Sequence, residues 1–285
     1  MPHLLSFGHG YSAQGLGAIL PDGWTLTGTT RKPERAEKIA ALGASAVIWP
    51  GSDLSAELDK ATHILISTAP DENGDPVLGA LRDEITARAG QFEWVGYLST
   101  TGIYGDHQGG WVDETTPVNP VSKRGMYRAN AENQWMELHR DTGLPVHIFR
   151  LSGIYGPGRG PFEKVKRGTA QRVIKENQYF SRTHVDDIAQ VLLASINRPN
   201  AGSIYNVCDD LPVAPQDVIG YAAELLGVPL PPEVPFEEAD MTPMARSFYG
   251  ESKKVRNDKI KTELGVTLIH PTYREGLESI LASEG

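Results

Sequence analysis

The stretch SKRGMYRANAE (122–132) brings Arg124, Tyr127 and Arg128 together at three- and four-residue steps. A helix would set them on one face, with Lys123 at its edge. Such a face can be catalytic, can bind a ligand, or can stand as a solvated flank, and these residue types leave all three open. A second stretch, FGHGYSAQG (7–15), supplies Gly8, Gly10 and Ala13 in a GxGxxA pattern, with Tyr11 inside it. Gly8 permits a tight turn, Gly10 lets backbone approach a pyrophosphate, and Ala13 allows close helix packing, while the helix N-terminus attracts phosphate charge. About 20 residues on, where an NAD site usually places an acid on the ribose, the chain reads Thr29, Thr30, Arg31, Lys32. Hydroxyl plus guanidinium is the chemistry a 2′-phosphate wants, so NADP is expected over NAD. Asp53, and Ser67, Thr68 and Ala69, fall where loops would meet adenine and ribose.

The elements that must position these residues alternate strictly. Strands are expected at 4–8, 24–30, 45–49, 63–69, 92–100 and 145–152, and helices near 11–20, after Pro33, at 77–90 and at 122–142. Strand and helix in alternation imply a parallel sheet covered on both faces. Past 153 the pattern turns mixed: GIYGPGRGP, a helix at 185–196 with Asp186 or Asp187 near its N-cap, a strand at 203–209, a proline-rich loop at 228–240, and helices near 257–264 and 273–282. The expected fold is α/β, a Rossmann-type doubly wound parallel sheet with a smaller C-terminal substrate lobe. Residues 1–160, completed by about 182–210, would form the NAD(P)-binding domain and 161–285 the lobe.

Composition narrows the function classes. The formal charge is −9 and the pI about 5.4, which opposes nucleic acid. The eight histidines are scattered without metal-ligand spacing, so no metal is expected. No apolar run approaches the ~18 residues of a membrane helix, and MPHLLSFGHG reads as a buried strand rather than a secretory signal. The single cysteine, Cys208, excludes an internal disulfide and is expected to be a buried, inert thiol. The reading is a soluble, cytoplasmic protein.

With the glycine turn joined to LSTTGIYGD (98–106), RLSGIYGPGRGP (150–161) and RTHVDDIAQVL (182–192), the chain resembles the extended short-chain dehydrogenase/reductase superfamily, the NAD(P)-dependent epimerases and dehydratases. The resemblance implies a catalytic hydroxyl at Thr100, with Ser99 and Thr101 beside it, and a YxxxK pair on the next helix. That pair is absent. Anchoring on Tyr127 puts Ala131 in the lysine's place; anchoring on Ala131 and Glu132 puts Arg124 and Arg128 in the places of tyrosine and lysine. Arg128 could hold ribose hydroxyls but cannot relay a proton at ordinary pH. The family's RxxNxYGP is also altered: Arg150 is followed by Gly153 where asparagine is expected, which weighs against a nucleotide sugar, while Ile154 to Pro157 would border the nicotinamide.

Two functions follow as expectations. One is an NADP(H)-dependent oxidoreductase or epimerase acting on a small carbonyl or hydroxyl compound, with Thr100 orienting the oxygen, Tyr127 exchanging the proton, and Arg124 and Arg128 supplying positive charge. The other is a non-catalytic NADP(H)-binding sensor. A homodimer through the helices at 77–90 and 122–142 is plausible, since Trp135 and Met136 would suit a buried surface as well as their own core.

Overall fold

The computed structural model describes residues 1–284. Seven strands, β1 (His3–Phe7), β2 (Thr25–Thr30), β3 (Ser45–Ile48), β4 (His63–Ile66), β5 (Trp94–Thr100), β6 (Val146–Leu151) and β7 (Ile204–Val207), form one sheet in the order β7-β6-β5-β4-β1-β2-β3. All pairings in it are parallel. The order reverses between β1 and β4, which opens a crevice beyond the strands' C-terminal ends.

Helices α1 (Tyr11–Ala18), α2 (Pro33–Ala41), α3 (Ser55–Lys60), α4 (Pro76–Ala87) and α5 (Lys123–Thr142) connect the first half. Strand residues alternate between two buried layers: Val95 and Tyr97 of β5 pack with Leu78, Ile85 and Trp135 from α4 and α5, whereas Trp94 and Leu98 pack with Leu16 from α1 and the residues Ile188 and Leu192. Both faces of the sheet are therefore covered, which is why its strands carry near-continuous apolar residues. Gly96 is required by this packing, because a Cβ there would lie 2.1 Å from the Trp94 ring. Trp135 is fully buried in its own domain's core, so it is not the subunit surface that a homodimer would need.

The rest of the chain adds α6 (Phe162–Lys166), α7 (Val185–Asn197), α8 (Pro215–Leu225), α9 (Pro243–Phe248), α10 (Asp258–Thr262) and α11 (Tyr273–Glu284). Helix α7 lies on the sheet beside α1, and its N-cap is His184, whose Nδ1 accepts from the Asp186 N–H at 3.3 Å. Asp187 instead takes the backbone N–H groups of Ile269 and His270. A separate core of Phe162, Val165, Val218, Ala222, Tyr273 and Leu277 holds α6, α8 and α11 together. Helices α3, α6, α8 and α9 differ from the expectation: α3, α6 and α9 are too short to show a period, and α8 is only 11 residues. The proline-rich 228–240 segment also contains a short strand, Glu233–Pro235, paired with Arg172–Ile174. Cys208 is buried, and burial pushes its thiol pKa well above the ordinary value.

Candidate active site

The glycine turn sits at the C-terminal end of β1. Gly8 has φ +72°, and a Cβ on it would lie 3.0 Å from Thr68 Cγ2, so glycine is needed on both counts. Its N–H donates to Thr29 Oγ1 at 2.9 Å, and Ser67 Oγ donates to the carbonyls of Phe7 and Gly8. Gly10 is the N-cap of α1 with no side-chain cap, and no acid stands in the first turn. The N-terminal N–H groups of α1 thus lack a protein acceptor from a side chain, the condition under which a helix end takes a phosphate. His9, buried against Gly28, is held neutral with its pKa pushed down to about 4 by burial, so it brings no charge of its own. Thr68 Oγ1 is buried without a partner beside this turn. An orphaned hydroxyl, an uncapped helix and a glycine cradle fit the phosphate and ribose portions of a dinucleotide.

At the end of β2, Thr30 is buried and its Oγ1 accepts from the Lys32 N–H at 3.3 Å. Arg31 is exposed and makes no hydrogen bond or ion pair among the described residues. Asp53 is exposed, and the Ser55 N–H and hydroxyl that it accepts hold its carboxyl below the usual range. Tyr11 donates to the Pro157 carbonyl at 3.0 Å, fastening the first turn of α1 to the segment after Ile154.

Beyond the ends of β5 and β6 lies a cavity of about 820 Å³, lined among others by Ala69, Thr100, Arg124, Arg128, Ser152 and Ile154. Helix α5 reaches it because Ser122 caps its N-terminus, accepting from Gly125 N–H at 3.1 Å, and because Gly125 lets the helix sit tightly on Pro120 and the Gly102 carbonyl. Thr100 Oγ1 accepts from the Gly102 N–H at 3.1 Å, which leaves its own proton free to donate. Arg128 Nη1 donates to the carbonyls of Thr68 (3.2 Å) and Leu98 (2.8 Å) and to the Tyr97 hydroxyl (3.1 Å), so the side chain is braced across the ends of β4 and β5. Arg124 lies over the Phe248 ring at 5.4 Å, with a long contact to Ser247 Oγ, and so joins α5 to α9 across the cavity.

Tyr127 is half-buried and does not line the cavity. The phenol that Arg128 does meet is Tyr97, where burial outweighs the guanidinium and raises the pKa, so Tyr97 is a poor proton donor. The structure brings Thr100, Arg124 and Arg128 to one cavity and leaves Tyr127 off it. It also brings in Arg159, Arg182 and Lys253, which the sequence reading did not assign. Arg182 stood in a quoted motif, in an alternating strand position next to the cavity; Lys253 ends a YxxxK spacing, YGESK (249–253), which lies away from the helix where that pair was sought.

The family described as "NAD dependent epimerase/dehydratase family" matches residues 84–208. A structure described as that of a functionally unknown conserved protein from Silicibacter pomeroyi DSS is 61% identical, with a TM-score of 0.95 and 99% of each chain covered. Protein YeeZ of Escherichia coli K12 is 29% identical over 265 residues, covering 87% of this chain and 89% of its own. UDP-glucuronic acid 4-epimerase from Bacillus cereus, in complex with NAD, is 16% identical with a TM-score of 0.77 over 99% of both chains, a likeness of fold. The family match covers residues 84–208, and the parallel sheet and glycine turn around it have the fold of the NAD-bound epimerase.

Proposed function

We propose that the protein is an NADP(H)-dependent oxidoreductase or epimerase acting on a small carbonyl or hydroxyl compound, with arginines in place of the YxxxK pair. One observation carries the reading: Thr100, with a free hydroxyl proton, faces the same cavity as Arg124 and Arg128. A bound nicotinamide would supply or accept the hydride. Thr100 would donate a hydrogen bond to the substrate oxygen, and the two guanidinium groups would stabilise the negative charge that develops there. Since neither arginine releases a proton at ordinary pH and Tyr127 lies off the cavity, the oxygen would exchange its proton with water. Arg128, braced by two backbone carbonyls, is the group placed to hold a ribose hydroxyl with its remaining donors. Arg31 supports NADP over NAD, because its unengaged guanidinium stands at the end of β2 where a 2′-phosphate would lie.

The test is calorimetric titration of the cofactor-stripped protein with NADP(H) and NAD(H), repeated on Arg31→Ala and Arg128→Ala, followed by NADPH oxidation over a carbonyl panel. NADP binding at micromolar Kd or better that weakens in both variants, with turnover lost in Thr100→Ala, supports the reading. Binding without turnover favours a sensor, a reading that the Arg124 contact between α5 and α9 makes concrete. No binding of either dinucleotide sinks both.

A further inference from the structure

The described ionisable side chains on the cavity are strongly one-sided. Arg124, Arg128, Arg159, Arg182 and Lys253 face it, against one carboxylate, Glu251. The chain as a whole carries −9, so this concentration of positive charge runs against the composition and focuses on the cavity. Glu251 is paired with Lys253 Nζ at 2.6 Å, which leaves the four arginines in excess.

Arg182 keeps most of its donors unused. It sits in the strand Arg182–His184, paired in parallel with Gly153–Tyr155, and is only partly exposed. Of its five N–H donors, one hydrogen bond is made, from Nη1 to the Phe180 carbonyl at 3.1 Å. No carboxylate forms an ion pair with it among the described residues. The nearest acid by charge is Asp209, yet both of its side-chain oxygens are buried and unbonded. Burial pushes the Asp209 pKa up despite Arg182, which makes this acid a weak counter-charge for the guanidinium. Phe180, Tyr155 and Tyr249 line the cavity with it, and burial lowers the Arg182 pKa. A guanidinium kept out of water without a partner is costly, and an anion entering the cavity would relieve that cost.

We propose that Arg182 forms a subsite for an anionic group on the substrate, a carboxylate or phosphoryl group. It rests on the oxidoreductase reading for the use of the cavity, and it narrows that reading to carbonyl or hydroxyl acids and their phosphorylated counterparts. Arg182 then fixes one end of the substrate while Thr100 meets the reacting oxygen.

The experiment uses the protein saturated with NADP(H), so that its phosphate turn is already filled. Malonate, inorganic phosphate and UDP are titrated as probes by calorimetry, with glycerol as the neutral control, on wild type and Arg182→Gln. Binding of at least one anion to the wild type, weakened tenfold or more in Arg182→Gln while NADP affinity changes less than twofold, is the expected result. Preference for malonate assigns a carboxylate, preference for phosphate a phosphoryl group, and preference for UDP a nucleotide diphosphate. Equal anion affinity in both proteins, or no anion binding, overturns the subsite. Should Arg182→Gln fail to fold, a wild-type crystal grown with the best-bound anion decides: density at Arg182 supports the proposal, and density elsewhere refutes it. Failure of NADP to bind would fell the oxidoreductase reading instead, and the same anion comparison on cofactor-free protein would still judge Arg182.

Discussion

Arg150 and Arg182 both place a guanidinium in the protein interior, and they are treated in opposite ways. Arg150, with its side chain 4% exposed, gives Nη2 to Glu132 Oε2 at 2.8 Å, Nε to both Glu132 oxygens, and Nη1 to the Tyr104 hydroxyl at 2.9 Å. Ser99 Oγ donates to the same carboxylate, and the Tyr104 hydroxyl in turn donates to Asn206. Arg182 has one backbone carbonyl. A buried charge is tolerated when its geometry is complete and costs several kcal/mol when it is not. Arg150 is therefore a structural tie between α5, β5, β6 and β7, whereas Arg182 is left incomplete by the fold, which is what a ligand site requires.

The comparison breaks first, and hardest, at Glu132. Glu132→Leu strands Arg150 and is expected to cost about 3–5 kcal/mol in urea unfolding; a loss below about 1 kcal/mol would show that the network is not structural. Next comes Asp209, beside Arg182. Its folded pKa of about 8 is raised above the unfolded value, so its contribution to stability is full below about pH 4 and is lost as pH rises toward 8. Asp209→Asn removes that dependence, and the variant should gain on wild type by up to about 1.4 kcal/mol per pH unit between pH 5 and pH 7; parallel stability curves would contradict this. Ser99→Ala deletes a hydrogen bond to a charged group and is expected to cost about 1.5–2 kcal/mol in the same unfolding assay. The smallest effect is on the other side of the comparison: without any ligand, Arg182→Gln should shift stability by less than about 1 kcal/mol or stabilise the protein. If it cost as much as Glu132→Leu, Arg182 would be structural after all.

Much of the architecture was legible because its signals are local. The six strands read up to residue 152 all appear in the sheet within a few residues of their expected ends, and the strand expected at 203–209 joins them as β7. The helix expected at 122–142 is α5, closed by Gly143 in the left-handed conformation with φ 74°. The cofactor turn was readable for the same reason, since Gly8, Gly10 and Ala13 are neighbours in sequence. The substrate side was not. Tyr127 and Arg128 are adjacent in sequence, but a helix turns about 100° per residue, so only Arg128 reaches the cavity. Ser99 was weighed as a stand-in for Thr100, yet it is spent on Glu132, a residue on another element.

By itself the sequence determined the alternation of strand and helix, the parallel sheet, the glycine turn, the missing acid after β2 and the absence of YxxxK from the 122–142 helix. Each depends on residue type at short separation, where backbone preference and periodicity act directly. The tertiary structure alone decided which cations share the cavity, that Arg150 is satisfied and Arg182 is not, and that burial raises the Asp209 pKa. Those outcomes depend on burial and on partners far apart in the chain, as with Lys253, whose Nζ reaches the Gly105 carbonyl at 2.8 Å across 148 residues. Desolvation and pairing are properties of the assembled interior, and they come into being only when distant segments meet.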